Sequence, residues 1–361
     1  MLLCRDFDII CHSYCRFVIP AKACPAIRPA CPALAGPAGR QVNRRGGNPI
    51  GSGHDKLNQI FIRNSRYNTA RMKKLTEIFK EKNKTFSFEL FPPKTQEGYE
   101  KLLCTIGELA KLKPDFISCT YGAGGGSRDK TLEIIKNIQD RHKIIGVHHL
   151  TCVIHTKDEI QTILNQIRGA GVNNILALRG DPPRDNPGWQ PGANNFKYSS
   201  ELCAFVRKLH GNYFGIGVAG FPEGHPLAGS REQDARFLKE KTDAGADFVI
   251  TQLFFENKDY FDYVKRLRAL GVTARIVPGV LPITDYKSLT KFCAVCGANV
   301  PQKIHDIFLP IQNEPEKVLK AGIDFAIAQC RELLAGGAPG IHFYALNKTH
   351  PVDVILQAIH H

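Results

Sequence analysis

From Met72 onward the chain repeats one unit: a short apolar run of strand type, a polar or glycine-rich loop, then an amphipathic stretch of helical period. The runs are 86–91, 116–120, 144–150, 175–178, 214–219, 248–255, 274–280 and 341–344. Helical stretches at 98–111, 129–141, 157–169, 199–209, 230–244 and 258–270 separate them. Eight strand-type runs in the 290 residues that remain after residue 71 fit a single α/β domain of the (β/α)8 TIM-barrel type, with extra helices in the long 292–340 connection before the last strand. A doubly wound sheet is the alternative, but no G-x-G-x-x-G opens a helix after the first strand.

Residues 1–71 break this rhythm. Cys-Pro-Ala and Gly-Pro clusters interrupt short apolar pieces, so neither period is sustained, and the segment reads as a disordered extension or an over-extended start with Met72 as the functional beginning. A transit segment is a further option, given the arginines; a signal peptide fits poorly because Asp6 and Asp8 precede any apolar core. The formal charge of +14 is concentrated here, with 11 Lys and Arg against 3 Asp and Glu, leaving 37 against 31 in residues 72–361. That remainder suits an anionic small ligand and argues against a nucleic-acid partner. Five of the 12 cysteines also lie in the extension, and the others are scattered, so no disulfide framework is indicated. Cys293 and Cys296 have CxxC spacing without a second pair, which argues against a metal. No run of 18 apolar residues is present, and with this cysteine usage the expectation is a protein of the cytoplasm that does not enter a membrane.

In a barrel of this kind chemistry gathers at the carboxyl ends of the strands, and the residues expected there are polar. Glu89 stands in Phe86-Ser87-Phe88-Glu89-Leu90-Phe91 just before Pro92-Pro93, where flanking apolar residues would favour a neutral carboxyl able to donate a proton. Thr120 and Tyr121 precede Gly122-Ala123-Gly124-Gly125-Gly126; His148 and His149 lie on the third run; Arg179-Gly180-Asp181 follows the fourth. Phe221-Pro222-Glu223-Gly224-His225-Pro226 follows the fifth, Gln252 stands on the sixth, and Tyr344 and Asn347 close the eighth.

These segments resemble, in order, the motif set of methylenetetrahydrofolate reductases: Phe88 to Thr95, Thr120 to Ala123, His149 to Cys152, Leu178 to Asp181, Phe221 to Pro226, Thr251 to Phe255, Pro278 to Pro282 and His342 to Asn347. The resemblance covers the catalytic barrel and is closest in extent to the bacterial type. It implies FAD as cofactor, NADH or NADPH as electron source, and reduction of 5,10-methylenetetrahydrofolate to 5-methyltetrahydrofolate by ping-pong exchange, in one-carbon metabolism and methionine supply. By the same resemblance Glu89 gives the proton to folate N10, and Asp181 lies near flavin and pterin. Gln252 and Phe292 contact substrate, although helical spacing alone makes Phe292 a core aromatic. Thr120, His149, Arg179, Gly180, Asp181, Tyr198, Phe221, Glu223, His225, Asp234 and Lys241 fall at FAD-contact positions. A homo-oligomer and, for some relatives, an electron-donor partner protein are also implied. Three positions depart from the pattern: Phe221 where Tyr is frequent, Lys348 where Arg is, and Ser288 where some relatives have a longer amide. The rival readings are a flavin-free pterin methyltransferase and a non-catalytic folate- or flavin-binding subunit.

Overall fold

A computed structural model describes residues 72–121, 128–182, 186 and 188–360. The extension 1–71 and the glycine run after Tyr121 lie outside the described residues. Eight parallel strands close on themselves in sequence order: β1 Thr85–Leu90, β2 Phe116–Cys119, β3 Ile145–Thr151, β4 Asn174–Leu178, β5 Gly215–Gly220, β6 Phe248–Leu253, β7 Arg275–Val280 and β8 Gly340–Tyr344. The helices are α1 Leu75–Glu81, α2 Gln96–Lys111, α3 Arg128–His142, α4 Lys157–Gly169, α5 Ser199–His210, α6 Arg231–Asp243, α7 Asn257–Ala269, α8 Tyr286–Cys296, α9 Gln302–Phe308, α10 Pro315–Ala335 and α11 Val352–His360. The expected (β/α)8 barrel with additional helices before the last strand is therefore the observed fold.

Helix α4 shows why the alternation folds this way. Thr156 Oγ1 accepts from the Glu159 N–H at 3.2 Å while the Glu159 carboxylate accepts from the Thr156 N–H at 2.8 Å, a reciprocal cap that starts the helix. Ile160, Ile163, Leu164 and Ile167 then recur at helical spacing and are all buried. At roughly 1.5–3 kcal/mol for each such side chain, this stripe holds the helix to the barrel. Successive shells of the same kind form the main core between strands and helices.

Two elements were not expected from the sequence, α1 and α11. The first closes the amino-terminal end of the barrel, where Leu75 packs with Phe116, Val147, Leu176, Phe248 and Ile250 and its N–H donates to Asn174 Oδ1 at 2.8 Å. Arg275 serves that end as well, donating to the carbonyls of Phe79, Lys82, Asn83 and Pro339.

The extra helices start at Tyr286 rather than at residue 292, because Asp285 caps α8 by accepting from the Ser288 N–H at 2.6 Å. They carry a second apolar cluster, including Leu289, Phe292, Ile304 and Phe308, that meets Leu253 of β6 and Tyr344 of β8. Gly322 permits the approach of α10, since a Cβ there would lie 1.7 Å from the Ile283 carbonyl oxygen.

Candidate functional site at the carboxyl ends of the strands

Strand β1 alternates Thr85, Ser87 and Glu89 on one face with Phe86, Phe88 and Leu90 on the other. Phe88 and Leu90 belong to the core shared with the helices, so the polar face is the one that looks into the barrel. The surroundings of Glu89 thus differ from the apolar pocket expected. Its sequence neighbours point away from it, and its Cα partners are Ser118 of β2 and Tyr344 of β8.

Glu89 is 6 % exposed, and its Oε2 lies 3.5 Å from His149 Nε2 and 3.5 Å from His342 Nε2. His342 Nδ1 is 2.8 Å from the Oγ of Ser87, its Cα partner two residues before Glu89. Glu89 Oε1 is buried with no hydrogen-bond partner among the described residues, a state usually relieved by a bound water or ligand. Burial holds the His149 imidazole down at about 4 despite the nearby carboxylate, with His342 pushing the same way. His149 is therefore a neutral ring that gives Glu89 no countercharge near pH 7. His148, on the opposite face of β3, is held at about 3 mainly by burial, and its ring lies beside Tyr121.

Tyr344 is buried, and both burial and Glu89 push its phenol far up. Its hydroxyl donates to the Thr251 carbonyl at 2.8 Å. That carbonyl is available because the β6–β7 ladder shifts register between Ile250 and Leu253, and Gly279 N–H bonds Thr251 Oγ1 at 2.9 Å instead. Gln252 sits in the shifted segment, buried, its Oε1 accepting from the Leu253 N–H at 2.9 Å. Phe292 is buried in the apolar cluster that also contains Leu253 and Tyr344, the surroundings that spacing alone implied.

A second group gathers after β4 and β5. The Arg179 carbonyl accepts from Val153 N–H at 2.8 Å, tying the exits of β3 and β4 together. Gly180 follows at φ +84°, and a Cβ there would come within 2.5 Å of Val153 Cγ1. Asp181 is half-buried at this rim. Lys241 of α6 donates to the Ala219 carbonyl at 3.1 Å and lies 5.9 Å from the Phe221 ring, which packs edge-on to His225 at 4.6 Å. Burial raises Asp234 to about 6, opposed by Lys241 and by the His225 backbone N–H. His225 is held low by burial, with Lys241 and Arg179 adding to the effect. Arg179, Lys241 and Arg266, which donates to the Pro222 carbonyl at 3.3 Å, are cations of this group, and His225 acts as a neutral ring.

Three further candidates make local contacts of their own. Glu223 accepts from Asn299 N–H at 2.9 Å, joining the β5 exit to the α8–α9 connection, and burial raises its carboxyl. Tyr198 is exposed at the start of α5, its ring beside Lys197. Thr120 closes the β1–β2 ladder through its N–H to Leu90 and accepts Thr131 Oγ1 at its carbonyl. A shallow depression of about 680 Å³ lined by Lys157, Phe196, Lys197, Glu201 and Phe205 holds none of the candidates. Its openness to solvent suits it less to chemistry than the buried carboxyl does. Ser87, Ser118 and His342 complete the Glu89 environment and were not singled out from sequence. The signal was the period-2 alternation of Ser87 with Glu89 and of His342 with Tyr344.

These features define a parallel eight-stranded barrel with a buried acid inside its carboxyl end and a cationic rim beside it. The family model for methylenetetrahydrofolate reductase matches residues 74–360, and the chain belongs to that family. It is 36 % identical over 283 residues to the Arabidopsis thaliana methylenetetrahydrofolate reductase (NADH) 1, covering 76 % of this chain and 48 % of that protein. Identity to the Escherichia coli K12 5,10-methylenetetrahydrofolate reductase is 37 % over 263 residues, covering 73 % and 86 %. The chain spans about half the length of the plant and fission-yeast relatives it matches. Identities to plant, yeast, nematode and bacterial relatives all fall between 35 and 37 %, so they give no particular support to a bacterial subtype. Among solved structures, a Clostridium thermocellum protein described as binding two copies of 5-methyl-5,6,7,8-tetrahydrofolic acid shares the fold. Its TM-score is 0.55 at 13 % identity, covering 80 % of this chain and 98 % of that one.

Proposed function

We propose that this chain reduces 5,10-methylenetetrahydrofolate to 5-methyltetrahydrofolate with electrons from NADH or NADPH, by alternating half-reactions at one site, supplying methyl groups for methionine synthesis. The observation that carries the reading is Glu89, a buried carboxyl with an unpartnered Oε1 at the carboxyl end of β1, in a chain of this family. Opening the five-membered ring of the substrate needs a proton on N10, and a carboxylic acid donates one where a carboxylate does not. His149, 3.5 Å from Glu89 Oε2, is kept neutral by burial, and His342 Nε2 lies at the same distance from the same oxygen. Asp181, half-buried at the β4 exit, supplies negative charge opposite the cationic carbon-nitrogen unit that forms on ring opening. Gln252 offers its amide nitrogen to the pterin, and Phe292 covers the substrate from α8.

The residues present fit FAD. Arg179 and Lys241 are a donor set suited to a diphosphate, and buried Asp234 accepts from a ribose or adenine group. Thr120, His149, Gly180, Asp181, Tyr198, Phe221, Glu223 and His225 complete the proposed binding surface, with Phe221 giving ring contact and no hydroxyl. Held by these residues, FAD would supply hydride transfer between the nicotinamide and the one-carbon unit of the folate. The same reading includes a homo-oligomer in the cytoplasm, of bacterial type, open to an electron-donor partner protein, with residues 72–361 as the FAD-binding domain.

The test is anaerobic stopped-flow on the purified chain. A flavin spectrum, bleaching by NADH or NADPH, and reoxidation by methylenetetrahydrofolate are expected. A flavin-loaded chain that bleaches but is never reoxidised by the folate refutes the proposal, and so does a flavin-free chain.

A further inference from the structure

The β1–β8 ladder stops at the rung Glu89↔Tyr344, yet β1 runs on by another residue to Leu90 before Phe91 and Pro92. Beyond Tyr344 the backbone after β8 turns away, with Lys348 N–H closing on the Ala345 carbonyl at 2.9 Å. The turn uses two consecutive non-glycine residues in the left-handed region, Leu346 at φ 49° and Asn347 at φ 57°. Asn tolerates that region, whereas a Leu there is strained.

The geometry explains the strain. Asn347 Oδ1 accepts from the Phe91 N–H at 2.9 Å, and Asn347 Nδ2 donates to the Phe91 carbonyl at 2.8 Å. A side-chain amide thus exchanges both bonds with one backbone residue and stands in for the missing rung of the ladder. The turn is held from a third side, where Thr105 Oγ1 of α2 reaches the Asn347 carbonyl at 3.4 Å. The chain between the two contacts is itself fixed, because Thr95 Oγ1 caps α2 at Gly98 N–H and Gly98 packs directly against Pro93. Phe91 lies two residues beyond Glu89, so clamping its backbone sets the pleat at the carboxyl side of Glu89.

We infer that Asn347 is the positioning residue of Glu89: its amide clamp on Phe91 fixes the end of β1 so that the carboxyl faces the mouth at the angle that proton donation needs. The inference rests on the functional reading above, and it predicts that the clamp serves the folate half-reaction and not the nicotinamide one. A displacement of about 1 Å at a reacting group can cost on the order of a hundredfold.

The decisive variant is Asn347→Gly, which keeps the left-handed backbone free of strain and removes only the clamp. Asn347→Asp retains the acceptor for Phe91 N–H and loses the donor. In the FAD-loaded protein, bleaching by NADH or NADPH should stay within twofold of wild type for both. Folate reoxidation should fall about ten- to a hundredfold in Asn347→Gly and less in Asn347→Asp, and the pH profile of that step should shift. A readout independent of turnover is backbone amide exchange over residues 88–91, which should quicken in Asn347→Gly with the thermal midpoint within a few degrees of wild type. A folate rate within twofold of wild type in Asn347→Gly overturns the inference alone. Parallel loss of both half-reactions with a collapsed thermal midpoint overturns it too, by making the clamp a general fold contact. A wild-type chain that bleaches but is never reoxidised refutes the functional reading on which it rests.

Discussion

Replacing Glu89 with Gln is the sharpest perturbation the site allows, because it changes the chemistry of one atom and almost nothing of its shape. The side chain is 6 % exposed between two imidazole nitrogens, each 3.5 Å from Oε2, so a substitution of different volume would confound chemistry with repacking. Gln fills the same space and its amide can donate to an imidazole nitrogen, so the thermal midpoint should move by no more than a few degrees. What Gln cannot do is release a proton to N10. General acid catalysis is worth about 10²–10⁴ in rate, which at about 1.4 kcal/mol per tenfold corresponds to roughly 3–5.5 kcal/mol of transition-state stabilisation. The loss should appear wholly in the folate half-reaction. In anaerobic stopped-flow, Glu89→Gln should bind FAD and be bleached by NADH or NADPH at the wild-type rate. Its reoxidation by methylenetetrahydrofolate should be slower by at least a hundredfold. Equal slowing of both half-reactions would place Glu89 in cofactor geometry instead, and an unchanged folate rate would remove it from the reaction.

Lys241→Met should weaken FAD binding by tenfold or more in equilibrium dialysis, since it removes a cation of the site and the charge that most opposes the burial of Asp234; unaltered retention of flavin would refute that role. Asp181→Asn should slow the folate half-reaction more than the nicotinamide one, and an unchanged rate would count against it. Gly180→Ala should cost about 1–3 kcal/mol in urea unfolding, because alanine is strained at φ +84° and its methyl would meet Val153 at 2.5 Å; a shift below about 0.5 kcal/mol would refute this. Folding stability should fall as pH drops from about 6.5 toward 4. His148 and His149 are depressed to about 3 and about 4, so the unfolded chain binds protons that the folded chain refuses, at up to about 1.4 kcal/mol per pH unit for each. Asp234, raised to about 6, works in the opposite sense over the same range and blunts the slope. Urea titrations at pH 7, 6 and 5 would show it, and a flat profile would contradict these burial effects.

The barrel was legible because its elements satisfy two periods at once. The helix at 157–169 shows this, since its apolar residues recur at helical spacing over the whole observed span. Helices α1 and α11 were not read, and the cause differs from one to the other. In α1 the apolar residues Leu75, Ile78 and Phe79 stand at helical spacing and pack together, but a helix of 7 residues is too short for that pattern to stand out. In α11 the apolar residues follow a Pro-containing turn and could equally have formed a strand. The site divides in the same way. Glu89 was conspicuous as a charge in an apolar run, but the run was misleading about its neighbourhood. In a strand the adjacent residues face the opposite side, and what surrounds a side chain comes from the next strands over. His342 and Ser87, in registered rungs of strands separated by some 250 residues of chain, become neighbours only when the barrel closes β8 onto β1. Asn347 marks the same boundary from the other side. Its type suits a left-handed turn and so needs no further explanation in sequence, yet the clamp on Phe91 exists only because that closure brings the end of β8 beside the end of β1. Local periodicity therefore carries the scaffold, while the chemistry at the mouth depends on which strand is last and which is first.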